Sequence, residues 1–404
     1  MSRLHPLLTL LVATSLVWAG SGLAAAPQVI DLGGVGLLPT LTISEAYDDN
    51  IWEASGIDSD SIKSSWVTQV SPQLSLIAKD RLNEYQLSYG LQHSIYHSSQ
   101  ADNKTENTLL ARSHMEFTHR HRLDLNAGYK NRQEMRDSTN RAPINNESGN
   151  KYHTTHLEGL YGFGAKAATM QIEVGASQAW KRYTNNRHTG SQTHEQDHDT
   201  TTLLTRAYYR LGAKTKLLVE VQHSRYRYPT GPLDSKAWQY LVGGSWQPTV
   251  STGVQLKGGI ENKKFDDPKL HDPTNTVWEA DVHWQPKTYS RLVINTRSYI
   301  EEGSATEEYI DTREYGAKWE QEWTPRIKSN LSYAFIKKNY QRPNTAHSDI
   351  NRKDKLNVYS AGVHYKMRPW LTIGADYSYQ DNNSTLMNEN YDRNRIGLNV
   401  NINL

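Results

Sequence analysis

Over residues 41–404, apolar and polar side chains alternate with a period of two, and no other feature restricts the possible folds of this chain as strongly. The clearest stretch is Tyr85, Leu87, Tyr89 and Leu91, interleaved with Gln86, Ser88, Gly90 and Gln92. Leu123-Leu125-Ala127-Tyr129, Met170-Ile172-Val174-Ala176 and Leu371-Ile373-Ala375-Tyr377-Tyr379 repeat it. Successive side chains of a strand point to opposite faces, so each stretch makes one apolar and one polar face. The pattern predicts eighteen strand cores at 39–47, 66–79, 83–97, 107–118, 122–131, 152–163, 168–182, 201–211, 216–227, 237–247, 252–263, 275–285, 291–301, 310–323, 328–339, 355–366, 370–380 and 393–404.

The connections between these cores alternate between tight and long. Tight ones fall at 79–83, 119–121, 164–167, 212–215, 248–251, 286–290, 324–327 and 367–369. Long ones fall at 48–65, 98–106, 133–151, 183–200, 228–236, 265–274, 302–309, 340–354 and 381–392. A soluble β-sandwich also alternates, but gives no reason for connection lengths to sort by side. A membrane barrel does, with short periplasmic turns and longer outer loops. The expected fold is therefore all-β: a transmembrane antiparallel β-barrel of about eighteen strands with both termini periplasmic.

Residues 1–26 read as a cleaved secretory signal, with Arg3, an apolar run over residues 7–18, and small residues at Ala24, Ala25 and Ala26. Residues 27–38 then form a short periplasmic N-terminal segment and 39–404 the barrel. No later run approaches the eighteen apolar residues of a membrane-spanning helix. A mean hydropathy of -0.75 with 36% hydrophobic residues suits a wall that shows lipid only every second side chain. The 24 Tyr and 11 Trp against 4 Phe favour rings with a polar tip, the type enriched at membrane interfaces. With no Cys, disulfides, thiol chemistry and thiolate metal sites are excluded. A net charge of +2, lowered by one when Arg3 leaves with the signal, does not advertise nucleic acid.

The last strand carries a more specific pattern. Leu398, Val400, Ile402 and Leu404 fall on one parity. Arg395, Gly397, Val400 and Ile402 resemble the polar-x-Gly-x-x-apolar-x-apolar signal read by the barrel assembly machinery, with Leu404 in place of the usual terminal aromatic. Near the other end stands Leu41-Thr42-Ile43-Ser44-Glu45-Ala46-Tyr47-Asp48-Asp49-Asn50-Ile51, followed by Trp66-Val67-Thr68-Gln69-Val70-Ser71-Pro72. These segments resemble the beta-barrel porin 2 family, including EpsL-like proteins of exopolysaccharide and capsule systems. The resemblance implies an outer-membrane conduit that exports a secreted polysaccharide, a biofilm matrix or capsule polymer. Its implied partners are that polymer, outer-membrane lipid, the assembly machinery and a short periplasmic polysaccharide-export protein.

Assigning the apolar parity to lipid turns Arg112, Lys130, Arg206, Arg210, Lys257, Arg297 and Lys318 toward the lumen. Glu116, Asp124, Glu158, Glu173, Glu220, Glu261, Glu279, Asp281, Glu314, Glu320 and Asp376 turn inward with them. The inverse parity would place Arg and Lys in lipid at about 2–4 kcal/mol each near mid-depth. Such a lumen reads either as a hydrated conduit, with Tyr208 and Tyr299 as sugar-stacking rings, or as a salt-bridged wall that only stabilises the barrel. The mixed signs do not by themselves select an anionic cargo.

His188, His194 and His198 among Glu195, Asp197 and Asp199, and Asp48 and Asp49 with Asp58 and Asp60, are metal-ligand types. Solvated outer loops account for them better, and no metal or other cofactor is expected. No G-x-S-x-G or other nucleophile context occurs, so no enzyme is expected. Two further functions share the same wall: a diffusion porin for small solutes or sugars, and a structural or surface-attachment barrel.

Overall fold

The computed structural model describes residues 29–55, 62–136, 149–188, 192–303, 307–341 and 352–403. The signal segment, Asp58, Asp60 and Leu404 lie outside the described residues. A two-residue strand, β1 (Ile30–Asp31), precedes β2 (Val35–Asp48), β3 (Ser65–Asp80), β4 (Asn83–Tyr96), β5 (Lys104–Glu116), β6 (His121–Gln133) and β7 (Lys151–Phe163). Then come β8 (Met170–Tyr183), β9 (His198–Arg210), β10 (Thr215–Arg227), β11 (Ser235–Thr249), β12 (Thr252–Phe265) and β13 (Thr274–Lys287). The ring is completed by β14 (Ser290–Glu302), β15 (Tyr309–Glu322), β16 (Ile327–Gln341), β17 (Lys353–Arg368), β18 (Leu371–Ser384) and β19 (Tyr391–Asn403).

Every strand pairs antiparallel with its chain neighbours, and β19 returns to β2 in the register Arg395↔Asp48 to Asn403↔Thr40. Leaving aside β1, which only folds back on β2 through Ile30↔Leu37, the nineteen strands make a closed eighteen-stranded barrel. Closure follows from the solvent: lipid offers no hydrogen-bond partners, so an open edge there would leave a row of unpaired backbone groups. The tight connections shrink to two residues at 81–82, 250–251, 288–289 and 369–370. The turn into β8 needs a left-handed residue, Gly164 at φ 111°, where a Cβ would stand 2.8 Å from the Met170 carbonyl oxygen.

The outer face is the apolar one. Val174, Leu203, Val242 and Leu256 are each more than half exposed, as side chains solvated by lipid are. Aromatic rings mark its borders. Phe117, Tyr209, Trp246, Trp284, Trp323 and Trp370 stand exposed at the tight-turn end, and Tyr47, Trp66, Tyr89, Tyr129 and Trp238 toward the long-loop end. Two such belts on one wall bracket a lipid-facing band.

Buried apolar side chains gather inside the long-loop end. Ile51 is fully buried against Val67 and Tyr96, with Trp52 and Met135 beside them. Val67 pairs with Tyr96 and shares the inward parity of Gln69 and Ser94, so the loop after β2 folds into the mouth rather than away from it. Burying an isoleucine this way is worth about 1.5–3 kcal/mol. A second cluster, Tyr228, Leu233 and Phe265 with Tyr226, Leu270 and Tyr309, packs the mouth farther round the ring.

Candidate functional site: the lumen

The inward faces enclose a cavity of about 1970 Å³ lined by polar and charged side chains from most of the ring. Register explains their convergence: paired residues share a face, so Lys257↔Glu279 and Arg297↔Glu314 face inward together. Lys257 lies 2.6 Å from Glu279, and Arg297 2.6 Å from Glu314.

A longer relay of charges crosses β6 to β13. Arg122 binds Glu173 at 2.9 Å, and Arg206 reaches Glu173 at 3.2 Å and Glu220 at 2.7 Å. Lys257 contacts Glu220 at 3.4 Å on its way to Glu279. Arg206 and Glu220 are each 4% exposed. Charges so withdrawn from water persist only because each meets an opposite charge, and removing one partner strands the other. Glu116 accepts from Lys166 and His114, and Lys318 pairs with Glu320 at 2.8 Å. Arg210 donates to the Lys166 carbonyl, and Glu261 accepts from Gln239 at 3.2 Å. Asp376 lies 3.4 Å from His364 and also accepts from Asn399. Asp124 pairs with His114, while Glu158, Asp281, Arg112 and Lys130 take part in no ion pair among the described residues.

Tyr208 and Tyr299, expected as sugar-stacking rings, line the lumen among polar and charged neighbours. The Tyr208 hydroxyl donates to Glu173 at 3.2 Å, and the Lys216 ammonium stands 5.9 Å from its ring centre. Tyr299 donates to Glu314 at 2.8 Å under the Arg297 guanidinium, 4.8 Å from the ring centre. Each ring thus carries a cation on one face.

The Tyr47-Asp48-Asp49-Asn50 segment has a structural task that spacing did not suggest. Arg393 of the last strand clamps Asp48 with contacts of 2.6 and 3.0 Å and reaches Glu53 at 2.8 Å. Asp49 accepts from the Asn394 backbone and side chain at 2.7 and 2.9 Å, and Asn50 donates to the Asp392 carbonyl at 3.0 Å. These residues clasp the first barrel strand to the last. Beside them Asp102, in the loop after β4, is bound by Arg136 at 2.8 Å, by Trp52 at 2.8 Å and by Ser99 at 2.6 Å. Burial pushes the Asp102 carboxyl up, but Arg136, Ser99 and Trp52 together hold it below the usual carboxylate range.

In the loop after β8, the His188 and His194 rings meet at a tilt of 48° with centres 4.6 Å apart, and Asp197 is taken by Arg187 at 2.9 Å. His194 turns to the Arg187 carbonyl and His198 to that of Gln196. These imidazoles and carboxylates are thus engaged with the loop itself. Of the terminal-strand residues, Arg395 and Gly397 face inward, while Val400 pairs with Ile43 and Ile402 with Leu41 on the lipid side. Arg122, Arg132, His156 and Arg393 were not singled out from sequence, although the parity that turned Asp124 and Glu158 inward covers the first three.

No curated protein matches the chain in sequence. Among solved structures it is similar to OccK3 (OpdO) of Pseudomonas aeruginosa, at 11% identity and TM-score 0.47, covering 91% of this chain and 96% of that one. OccK2 (OpdF) of the same organism gives 9% identity and TM-score 0.48 over 91% and 98%. The FrpB iron transporter from Neisseria meningitidis (F3-3 variant) gives 11% and 0.44 over 90% and 63%. Residues 25–404 match the family described as "Putative beta-barrel porin 2", and the chain belongs to that family as a closed β-barrel of the outer membrane.

Proposed function

We propose that this protein is a diffusion channel for small hydrophilic solutes. The observation that carries the reading is the cavity of about 1970 Å³, walled by charged and polar groups and enclosed by eighteen strands, since barrels of this strand number leave an aqueous interior. The aromatic packing around Ile51 and Tyr228 narrows the long-loop mouth, which favours small solutes over a polymer. Export of an exopolysaccharide, with a short periplasmic export protein as partner, is the reading the EpsL-like resemblance implies. That reading rests on the Tyr47-Asp48-Asp49-Asn50 and Ser71-Pro72 resemblance and on the polar lumen, which serves a small-solute channel equally.

In this reading both chain ends lie in the periplasm, on the side of the short turns, and Arg395, Gly397, Val400, Ile402 and Leu404 present the strand recognised during assembly. Purified protein in planar bilayers is expected to give discrete conductance steps, and proteoliposomes to admit small sugars. A deletion strain that keeps normal solute permeability but loses surface polysaccharide, together with silent bilayers, would replace the diffusion channel by the export conduit.

A further inference from the structure

Many lumen cations are neutralised at contact. Arg122, Arg206, Lys257, Arg297, Lys338 and Arg393 each have a carboxylate at 2.9 Å or closer. The inner face of β5 to β7 breaks this rule. There Arg132 spends its guanidinium on neutral acceptors, Thr108 Oγ1 at 2.8 Å and the carbonyls of Asn107 and Asn131. Lys104 donates to the Gln133 carbonyl at 3.4 Å. Arg112 and Lys130 have no hydrogen bond or ion pair among the described residues, and Arg112 is exposed within the lumen.

Register sets these groups around one row. Leu110, Gly128 and His156 form that row across β5, β6 and β7, and Arg112, opposite Asn126, and Lys130, opposite Thr108, flank it on either side on the same inward parity. A Cβ on Gly128 would fall 2.1 Å from His156 Cε1. The glycine therefore makes room for an imidazole in the middle of the basic group. Of the carboxylates on the same strands, Glu106 accepts the Gln133 backbone N–H at 3.1 Å, Asp124 and Glu116 hold His114, and Glu158 stands across Asn126 from Arg112 with no ion pair among the described residues.

We propose that this face is a binding site for small oxyanions, carboxylates or phosphates, passing through the lumen. It deepens the channel reading and rests on it. Arg112 supplies a planar fork that matches two oxygens, and Lys130 a compact positive charge. His156 adds a ring N–H donor between them, and Arg132 and Lys104 extend the field toward the long-loop mouth. Arg112, Lys130, Arg132 and Lys104 outnumber Glu106 and Glu158, the carboxylates of this face that no base contacts among the described residues, so the patch is net positive and concentrates anions.

Two measurements test the proposal. In bilayers under a KCl gradient, the wild type is expected to be anion-selective. Each charge about 7 Å from a passing ion in water raises the local chloride concentration roughly two- to threefold and lowers potassium likewise, so R112Q/K130Q should lower the chloride-to-potassium permeability ratio at least about fivefold. R112K/K130R should retain the ratio, as should R326Q, which removes a positive charge from a turn. Equal ratios in wild type and R112Q/K130Q would overturn the site. Equilibrium dialysis of inorganic phosphate against folded protein in detergent serves as the second readout. Saturable binding weakened about fivefold in R112Q/K130Q supports the site, and absent or unchanged binding overturns it. Silent bilayers would remove the channel reading alone, because dialysis decides the anion site without current. The heat-induced gel shift of the closed barrel certifies folding of each variant.

Discussion

Ala176 and Ser177 are neighbours on β8 that face opposite solvents, and arginine at each should have opposite consequences. Ala176 pairs with Gly159 and Leu203 on the outer face, and Ser177 with Glu158 and Thr202 on the inner one. Ala176 is six residues beyond Met170 at the tight-turn end of the strand. With about 3.3 Å per residue and a strand tilt of about 40°, it lies roughly 15 Å into an apolar band about 25 Å tall, near the midplane. Arginine there should cost about 2–4 kcal/mol, a loss of roughly 30- to 700-fold in the folding equilibrium constant. At Ser177 the same side chain would meet the Glu158 carboxylate in water, and the expected change is within about 0.5 kcal/mol of zero. Ser88 and Thr372 share the inward parity but are poorer controls. The Ser88 hydroxyl already lies 2.8 Å from Ser75, and Thr372 is 1% exposed. The assay is urea-titrated folding into phospholipid vesicles, read by the gel shift between heated and unheated protein. Equal losses for A176R and S177R, or a larger loss for S177R, would refute the assignment of faces.

Two further outcomes follow from the mouth of the barrel. Arg393→Gln leaves Asp48, 1% exposed, without its main countercharge; a loss of about 3–5 kcal/mol is expected, seen as a lower temperature for the gel shift, and an unchanged temperature would discount the clasp. Because the Asp102 carboxyl is held below its ordinary range, its stabilisation is present above the unfolded value near roughly 4 and lost as pH falls through the lower folded value. The protection of residues 97–103 against hydrogen exchange, taken relative to the intrinsic rate at each pH, should therefore be high at neutral pH and fall in acid, and protection unchanged well below that range would contradict the role given to Asp102.

The wall was readable because lipid imposes one rule on every strand. A slip of one residue would put Val174 inside and Glu173 in the hydrocarbon, so alternation and turn spacing together mark eighteen strands to within a few residues. The strand at 39–47 extends to Val35–Asp48, and the small hairpin strand Ile30–Asp31, outside any alternation, was not foreseen. The lumen was less readable because its chemistry depends on neighbours across the ring. Sequence lists Arg112 and Arg206 as equivalent inward bases. Only register shows that one is held between two carboxylates while the other faces the cavity alone. Likewise Ile51 follows a run of polar residues, Asp48, Asp49 and Asn50, that reads as a solvated loop, and its burial comes from Val67 and Tyr96 on two other strands. Tyr208 and Tyr299 carry no sequence mark of the cations lying on their rings.

The clasp between Asp48 and Arg393 spans 345 residues of chain, and this distance governs time more than equilibrium. Contacts so remote form only after nearly every other strand has been laid down, so ring closure is the slow, late step and β2 waits as an unpaired edge until β19 arrives. Once shut, the seam between the first and last barrel strands is among the shorter joins of the ring, like that between β13 and β14. Its backbone ladder there runs only from Asn403↔Thr40 to Arg395↔Asp48, whereas β2 pairs with β3 from Val35↔Ala78 to Asp48↔Ser65. Arg393, Asn394 and Asn50 carry the join past the end of that short ladder. Their hold should show less in whether the barrel forms than in how long it survives once formed, because an opening that starts at the seam must release them first.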